Sequence, residues 1–190
     1  MRFPQEDDLC RERARFMHTI ESLTDAEFEN GNTLCDAWAP RDVLAHIVGS
    51  DTLGAYFRPS GLTIARTNAK MVLDAKRLSR PELTERGWKV TESPARASRM
   101  FAAVMMCGDV VMHHQDILRG LGKPHALPPE AKPAIMQEAL LWHSHLLLRY
   151  RIVPTDGRAR GRGREVHGTT EALAMWLGGR KGIEPELRFA

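Results

Sequence analysis

The sequence predicts a mainly α-helical bundle that ends in a small mixed α+β tail. Three observations carry this expectation. Apolar residues recur at three- and four-residue spacing through most of the first 150 positions, the period of helices buried on one face. Proline, glycine, hydroxyl and carboxylate residues fall at the ends of those stretches, where helices start and stop. After residue 150 the period is lost, and "YRIVPTDGRARGRGREVHG" reads as two short strands around a Gly/Arg loop.

Each element has its own signal. Residues 4–22 carry Leu9, Arg13, Phe16, Met17 and Ile20 along one helical stripe. In "SLTDAEFEN" Thr24 stands as an N-cap with Glu27 three residues on, the pattern of a capping box. In "DAWAPRDVLAHIVGSDTLGAYF" Pro40 suits a first helical position, because its missing N–H has no partner there. Asp42 follows near the positive end of the helix dipole, and Trp38 and Val43 are placed to close a hydrophobic staple. This predicts a helix over about 40–57, stopped by Pro59. A third helix is expected over 62–78, ending before Pro81, then a short piece over 81–90. A long helix over about 95–120 ends at Gly120 and Gly122, both suited to a C-cap. The Pro-rich "KPHALPPE" connects to a fifth segment over 130–149. The last helix lies in "TTEALAMWLGGR", opened by Thr169 or Thr170 and stopped by Gly178 and Gly179. Residues 1–150 are thus expected to form the bundle and 151–190 a short extension.

Composition narrows the function classes. The chain has 190 residues, 43% hydrophobic and 27% charged, with a net charge of +3, as an ordinary globular protein does. No apolar run reaches the roughly 18 residues of a membrane span, and "MRFPQEDDLCRERAR" lacks the apolar core of a signal peptide. The arginines of residues 156–165 alternate with glycine and have no aromatic among them, unlike a nucleic-acid-binding stripe. Cys10, Cys35 and Cys107 are odd in number and far apart, which argues against a disulfide framework or a cysteine zinc site. A cytoplasmic protein, monomeric or homodimeric, without nucleic-acid or membrane partners, is expected.

The chemistry concentrates in "GDVVMHHQDILRGLG", residues 108–122. Asp109, His113 and Asp116 stand at i, i+4 and i+7, on one side of a helix, and His114 points roughly a quarter turn away. Such a stripe is commonly a solvated face with intrahelical Asp–His hydrogen bonds. Here Val110, Val111, Met112, Ile117 and Leu118 make the helix apolar enough to be central, and buried polar groups must be paired or bound to something. Helical bundles build metal sites from inward carboxylates and histidines on facing helices. His46, at i+3 from Val43, is the facing candidate, although a lone histidine among apolar residues is more often a satisfied core residue.

The residues also resemble a known family. "CDAWAPRDVLAHIVGSD" resembles the Trp-x-x-x-Asp-Val-x-x-His motif of the mycothiol-dependent maleylpyruvate isomerase-like proteins of the DinB superfamily. "DVVMHHQDILRGLGKP" is similar to their second motif, Glu-x-x-x-His-x-x-Asp, and the segment ending in "LGGR" to their C-terminal pattern. The three occur in the family order and span most of the chain. The resemblance implies a DinB-like four-helix bundle and a divalent metal, usually zinc, with nickel or manganese as alternatives. Carried over residue by residue, the ligands are His46, Asp109 and His113. The family position is usually Glu, and Asp109 is one methylene shorter.

Two histidines and one carboxylate leave an open coordination position, as catalytic zinc sites do. The resemblance implies that the sulfur of mycothiol or a similar low-molecular-weight thiol occupies it. The metal would present that thiol as thiolate, for S-transfer to a small electrophile or for its thiol-assisted isomerisation. On this reading none of the three cysteines need be the nucleophile, and Cys107 is a packing residue. Asp116 either orients His113 or a water, or pairs with an arginine. Arg180, matching the family's terminal arginine, either binds a carboxylate at the site or only caps a helix C-terminus. His143 and His145 in "LWHSHLL" point about 200° apart on a helix and are expected on the surface or in a pocket. His18, His125 and His167 carry still less signal, and Asn68 has no assigned role. Metal-dependent hydrolysis on the same scaffold, and a non-catalytic binding or stress protein, remain the alternatives.

Overall fold

The computed structural model describes residues 3–51 and 64–190. The chain divides into two compact units, Met1–Pro124 and His125–Ala190. The break falls in the Pro-rich connection. The boundary expected at residue 150 followed a change in sequence character, whereas packing assigns the segment over 130–149 to the C-terminal unit.

The first unit contains α1 (Glu6–Ser22), α2 (Asp25–Asn30), α3 (Pro40–Ser50), α4 (Ile64–Ala75), α5 (Arg80–Glu92), α6 (Arg96–Met100) and α7 (Cys107–Gly120). Helix α1 packs on α5 and α7, and α3 packs on α5 and α7, so these four make the bundle, with α4 laid against α3. Its centre is apolar: Leu9, Phe16 and Ile20 of α1, Leu44 of α3, Leu83 of α5 and Ile117 of α7 are fully buried. Each such side chain stabilises the fold by about 1.5–3 kcal/mol through burial. Arg13 belongs to the buried stripe as its spacing predicts, and its charge is met there. Its Nη1 donates to Asp51 Oδ1 and to the Val90 carbonyl, both at 2.7 Å, while Asp51 Oδ2 accepts the Ala95 N–H at 2.9 Å.

Local chemistry explains the helix starts. Thr24 and Glu27 form the expected capping box, and Pro40 opens α3 with Asp42 accepting the Ala39 N–H at 3.1 Å. Two expectations need correction. The short piece over 81–90 is a full helix, α5, because Ser79 and Glu82 make a second capping box and Pro81 falls in the first turn. The long helix over 95–120 is not continuous: a π-helical turn, Ala102–Met106, lies between α6 and α7. There the Phe101 carbonyl takes the N–H groups of Val104, Met105 and Met106, and no proline or glycine marks the place in the sequence. The end of the 40–57 prediction, with Pro59, lies outside the described residues.

The second unit contains α8 (Lys132–His143), a 3-10 turn (Ser144–Leu148), strands β1 (Tyr150–Pro154), β2 (Arg160–Gly161), β3 (Arg164–Gly168) and β4 (Arg188–Phe189), and α9 (Thr170–Leu177). Four strands stand where two were expected, in the order β2-β1-β3-β4. β1 pairs antiparallel with β2 and parallel with β3, with Ile152 opposite Val166. Gly163, at φ 101°, lets the chain turn past β1, and a Cβ there would stand 2.3 Å from the Arg149 carbonyl oxygen. Helix α9 packs on α8 and on the β1–β3 pair, with Leu173, Met175 and Val166 fully buried. Thr169 caps α9 by accepting the Ala172 N–H. Asp156 reinforces that end, accepting the Thr170 N–H and hydroxyl and pairing with Lys132 Nζ at 2.6 Å.

Among the described residues no helix is long and apolar enough to cross a membrane.

Candidate metal centre

The first unit brings His46, Asp109 and His113 together, with their donor atoms all within 4.8 Å of one another. Helix α3 supplies His46 from its buried face, at 4% exposure. Helix α7 supplies the other two. Side chains on a helix lean toward its N-terminus, so the His113 ring reaches back to Asp109 with its far nitrogen and keeps its near nitrogen beside Asp116. Nε2 of His113 lies 3.6 Å from Asp109 Oδ1, and Nδ1 lies 3.0 Å from Asp116 Oδ2. Across the helix interface, His46 Nε2 lies 3.3 Å from Asp109 Oδ2. The shorter aspartate thus reaches both imidazoles, one with each oxygen.

The hydrogen bonding of His46 is incomplete. Both ring nitrogens are buried and neither has an aligned hydrogen-bond partner among the described residues. A buried imidazole left in this way is costly, and it faces a carboxylate and a second imidazole. Two imidazole nitrogens and a carboxylate oxygen within 4.8 Å of one another are the donor set of an open divalent site, and the orphaned His46 ring is the group such an ion would satisfy. The residues therefore fit a divalent metal.

The electrostatics of the cluster are tightly linked. Burial pushes Asp109 up, but the His46 and His113 imidazoles outweigh it and hold the carboxyl down at about 2. Burial pulls His113 down, and Cys35, Asp116 and Asp109 overcome it, holding this imidazole well above its ordinary value. Asp116 is fully buried and beside His113 Nδ1, the arrangement of a carboxylate that orients a metal-binding histidine. His114 does point elsewhere: its Nε2 lies 2.8 Å from Thr19 Oγ1, and burial pushes its pKa down to about 4.

The segment between α2 and α3 adds two residues that sequence reasoning left out of the site. Cys35 Sγ donates to Asp116 Oδ2 at 2.9 Å. Trp38 lies against the imidazoles, its ring centroid 5.4 Å from that of His46 and 6.0 Å from that of His113, beyond the staple role its spacing implied. Both precede Pro40 in the motif that contains His46, but no period marks them, because the segment is not helical. Gly120 makes room for it: a Cβ there would stand 2.3 Å from the Asn32 carbonyl oxygen. The helix is closed by Gly122, at φ 63° just past the C-cap Leu121, with the Lys123 N–H bonded to the Leu118 carbonyl and the Gly122 N–H to that of Arg119.

The remaining candidates have surroundings of their own. Arg180 is in the second unit, where its backbone N–H closes the end of α9 on the Met175 carbonyl and its Nη1 donates to the Gly178 carbonyl at 2.9 Å. His143 and His145 stand with ring centroids 6.1 Å apart at the break from α8 into the 3-10 turn. His125, Glu171 and Glu186 gather three further donor atoms. Cys107 is buried, and burial pushes its thiol up to about 12, so it packs rather than reacts.

The first unit is a four-helix bundle and the second a small mixed unit of helices and a four-stranded sheet. Two solved structures have a similar fold over almost the whole chain. One is a mutant of mycothiol-dependent maleylpyruvate isomerase, with a TM-score of 0.68, 13% identity, and coverage of 98% of this chain and 93% of that one. The other, also a mycothiol-dependent maleylpyruvate isomerase, has a TM-score of 0.62 and 12% identity at the same coverage. No family model matches the sequence, and no curated protein matches it.

Proposed function

We propose that this chain is a metal-dependent enzyme that activates a low-molecular-weight thiol, mycothiol or one like it, for S-transfer to a small electrophile or for its thiol-assisted isomerisation. One observation carries the reading: His46 is buried, has no aligned hydrogen-bond partner among the described residues, and faces Asp109 and His113 across the bundle. The likeness to mycothiol-dependent maleylpyruvate isomerase supports the choice of chemistry. His46, Asp109 and His113 would hold the metal, zinc before nickel or manganese. A bound zinc ion would lower the pKa of a thiol in its open position and present it as thiolate. Asp116 keeps the His113 ring turned so that Nε2 faces Asp109. Arg180 is proposed as the cation for a carboxylate of the substrate, as the resemblance implies.

Elemental mass spectrometry on the untagged protein tests the reading, beside His46→Ala and His113→Ala. The expected result is near-stoichiometric zinc or another divalent ion, lost in both variants, and turnover of electrophiles only when a thiol is added. Turnover without thiol would move the assignment to metal-dependent hydrolysis. A folded wild type that stays metal-free after incubation with zinc, nickel and manganese would overturn it in favour of a non-catalytic binding protein.

A further inference from the structure

Cys35 has no part in the chemistry proposed above, yet it is the best-placed thiol in the molecule. Its Sγ donates to Asp116 Oδ2 at 2.9 Å and lies 3.3 Å from His113 Nδ1. Asp116 has no exposure to solvent, so its carboxylate depends on donors within the protein. Oδ2 receives two of them: the Cys35 S–H and the His113 Nδ1–H. A carboxylate only accepts, so its place beside Nδ1 keeps the proton on that nitrogen. Nε2, which faces Asp109 and His46, is then the nitrogen whose proton a metal would displace.

The segment carrying Cys35 is built to hold the thiol still. Thr33 Oγ1 accepts the Cys35 N–H at 3.1 Å and donates to the Trp38 carbonyl at 2.8 Å. The Leu34 N–H donates to the Asp116 backbone carbonyl at 3.1 Å, tying the segment to α7. Ala37 adopts φ 62°, a left-handed conformation that a residue with a Cβ rarely takes.

We infer that Cys35 is a positioning residue of the site: its S–H holds Asp116 in place and, through Asp116, fixes the His113 ring with Nδ1–H inward and Nε2 toward Asp109 and His46. The role in metal binding rests on the reading of His46, Asp109 and His113 as the metal ligands. The fixing of the ring does not.

Two readouts on the full chain separate these layers, using Cys35→Ser, which keeps a donor, and Cys35→Ala, which removes it. The first is zinc affinity by competition with a chromophoric chelator. Cys35→Ala is expected to weaken it about 10-fold, the low end for loss of an outer partner, and Cys35→Ser to stay within about 3-fold of wild type. The second is long-range 1H–15N NMR of the metal-free protein. The His113 Nδ1 proton should be protected in wild type and Cys35→Ser, and lost to exchange in Cys35→Ala. Wild type that binds no zinc but shows this NMR pattern would remove the metal reading and leave the positioning role. Equal zinc affinities in all three, with an unchanged Nδ1 proton in Cys35→Ala, would overturn the inference. So would a Cys35→Ser loss as large as that of Cys35→Ala, or a sulfur-to-metal charge-transfer band in the cobalt-loaded protein, which would make Cys35 a ligand.

Discussion

Asp109 is the residue on which the metal reading turns, because it divides its two oxygens between the two imidazoles at 3.3 and 3.6 Å. Asp109→Asn keeps the shape and removes the charge. It should lower zinc affinity by about 100-fold or more, the upper range for losing a partner at such a site, in a competition titration. Asp109→Glu restores the residue the motif usually carries and should retain binding. Asp156 gives a test in the other unit. Its carboxylate holds the start of α9 and Lys132, and burial, which raises its pKa, is outweighed by Lys132 and Thr170, so that it is held down at about 2. A lowered folded pKa means stability that is present above the unfolded value near 3.9 and lost as pH falls toward 2. Asp156→Ala should cost about 1–2 kcal/mol at neutral pH, as lost caps do, and flatten the acid limb of a urea-melt series between about pH 4 and 2. A mutant with the wild-type acid limb would show that Asp156 contributes nothing there.

A buried ion pair joins helices in the first unit. Arg13 of α1 reaches Asp51 at the end of α3 and the Val90 carbonyl of α5, and Asp51 also accepts the Ala95 N–H at the start of α6. Asp51→Ala leaves a guanidinium that is 1% exposed without its counter-charge. It should destabilise the fold by about 3–5 kcal/mol in denaturant melts; a loss below 1 kcal/mol would mean that water reaches Arg13. This pair also shows how much an element reveals in advance. The 3.6-residue period placed Arg13 in a buried stripe, and the capping signals placed the starts of α2, α3 and α9. Period gives burial but not partners: nothing in "HIVGSD" names Arg13 as the group Asp51 meets. Cys35 and Trp38 escaped for a related reason, since an irregular segment positions side chains through its own hydrogen bonds, which leave no repeat. That Asp109, His113 and His46 would meet was legible because helices project side chains at fixed angles, and the resemblance supplied their pairing.

Over the whole molecule, the proposed ligands all lie in the unit Met1–Pro124, on helices α3 and α7. A ligand that binds only the folded state stabilises it by mass action, about 2.7 kcal/mol at a free concentration 100 times its Kd. Zinc should therefore raise the melting temperature of the wild type by several degrees, and a chelator should reverse the shift. His113→Ala should melt identically with and without zinc in calorimetry. A zinc-dependent shift that survives in His113→Ala would place the binding elsewhere, with His125, Glu171 and Glu186 the next donors to change. The helical class of this chain was readable from period and punctuation. The four-stranded order of its C-terminal sheet was not, since strands of two residues, such as β2 and β4, are too short to show alternation.

The π turn at Ala102–Met106 has a consequence for how this chain tolerates changes in length. A π turn holds one residue more than an α turn, absorbed locally, so the helices on either side keep their rotation about the axis. Removing Val104, which is 46% exposed, should return the stretch to ordinary α-helical bonding and leave Asp109 opposite His46. Removing Val111, only seven positions later, would turn Asp109 by about 100° relative to His113 and scatter the cluster. The bundle thus carries, directly before its most position-sensitive helix, a spare residue that an ancestor or descendant sequence can lose while Asp109 and His113 keep their alignment.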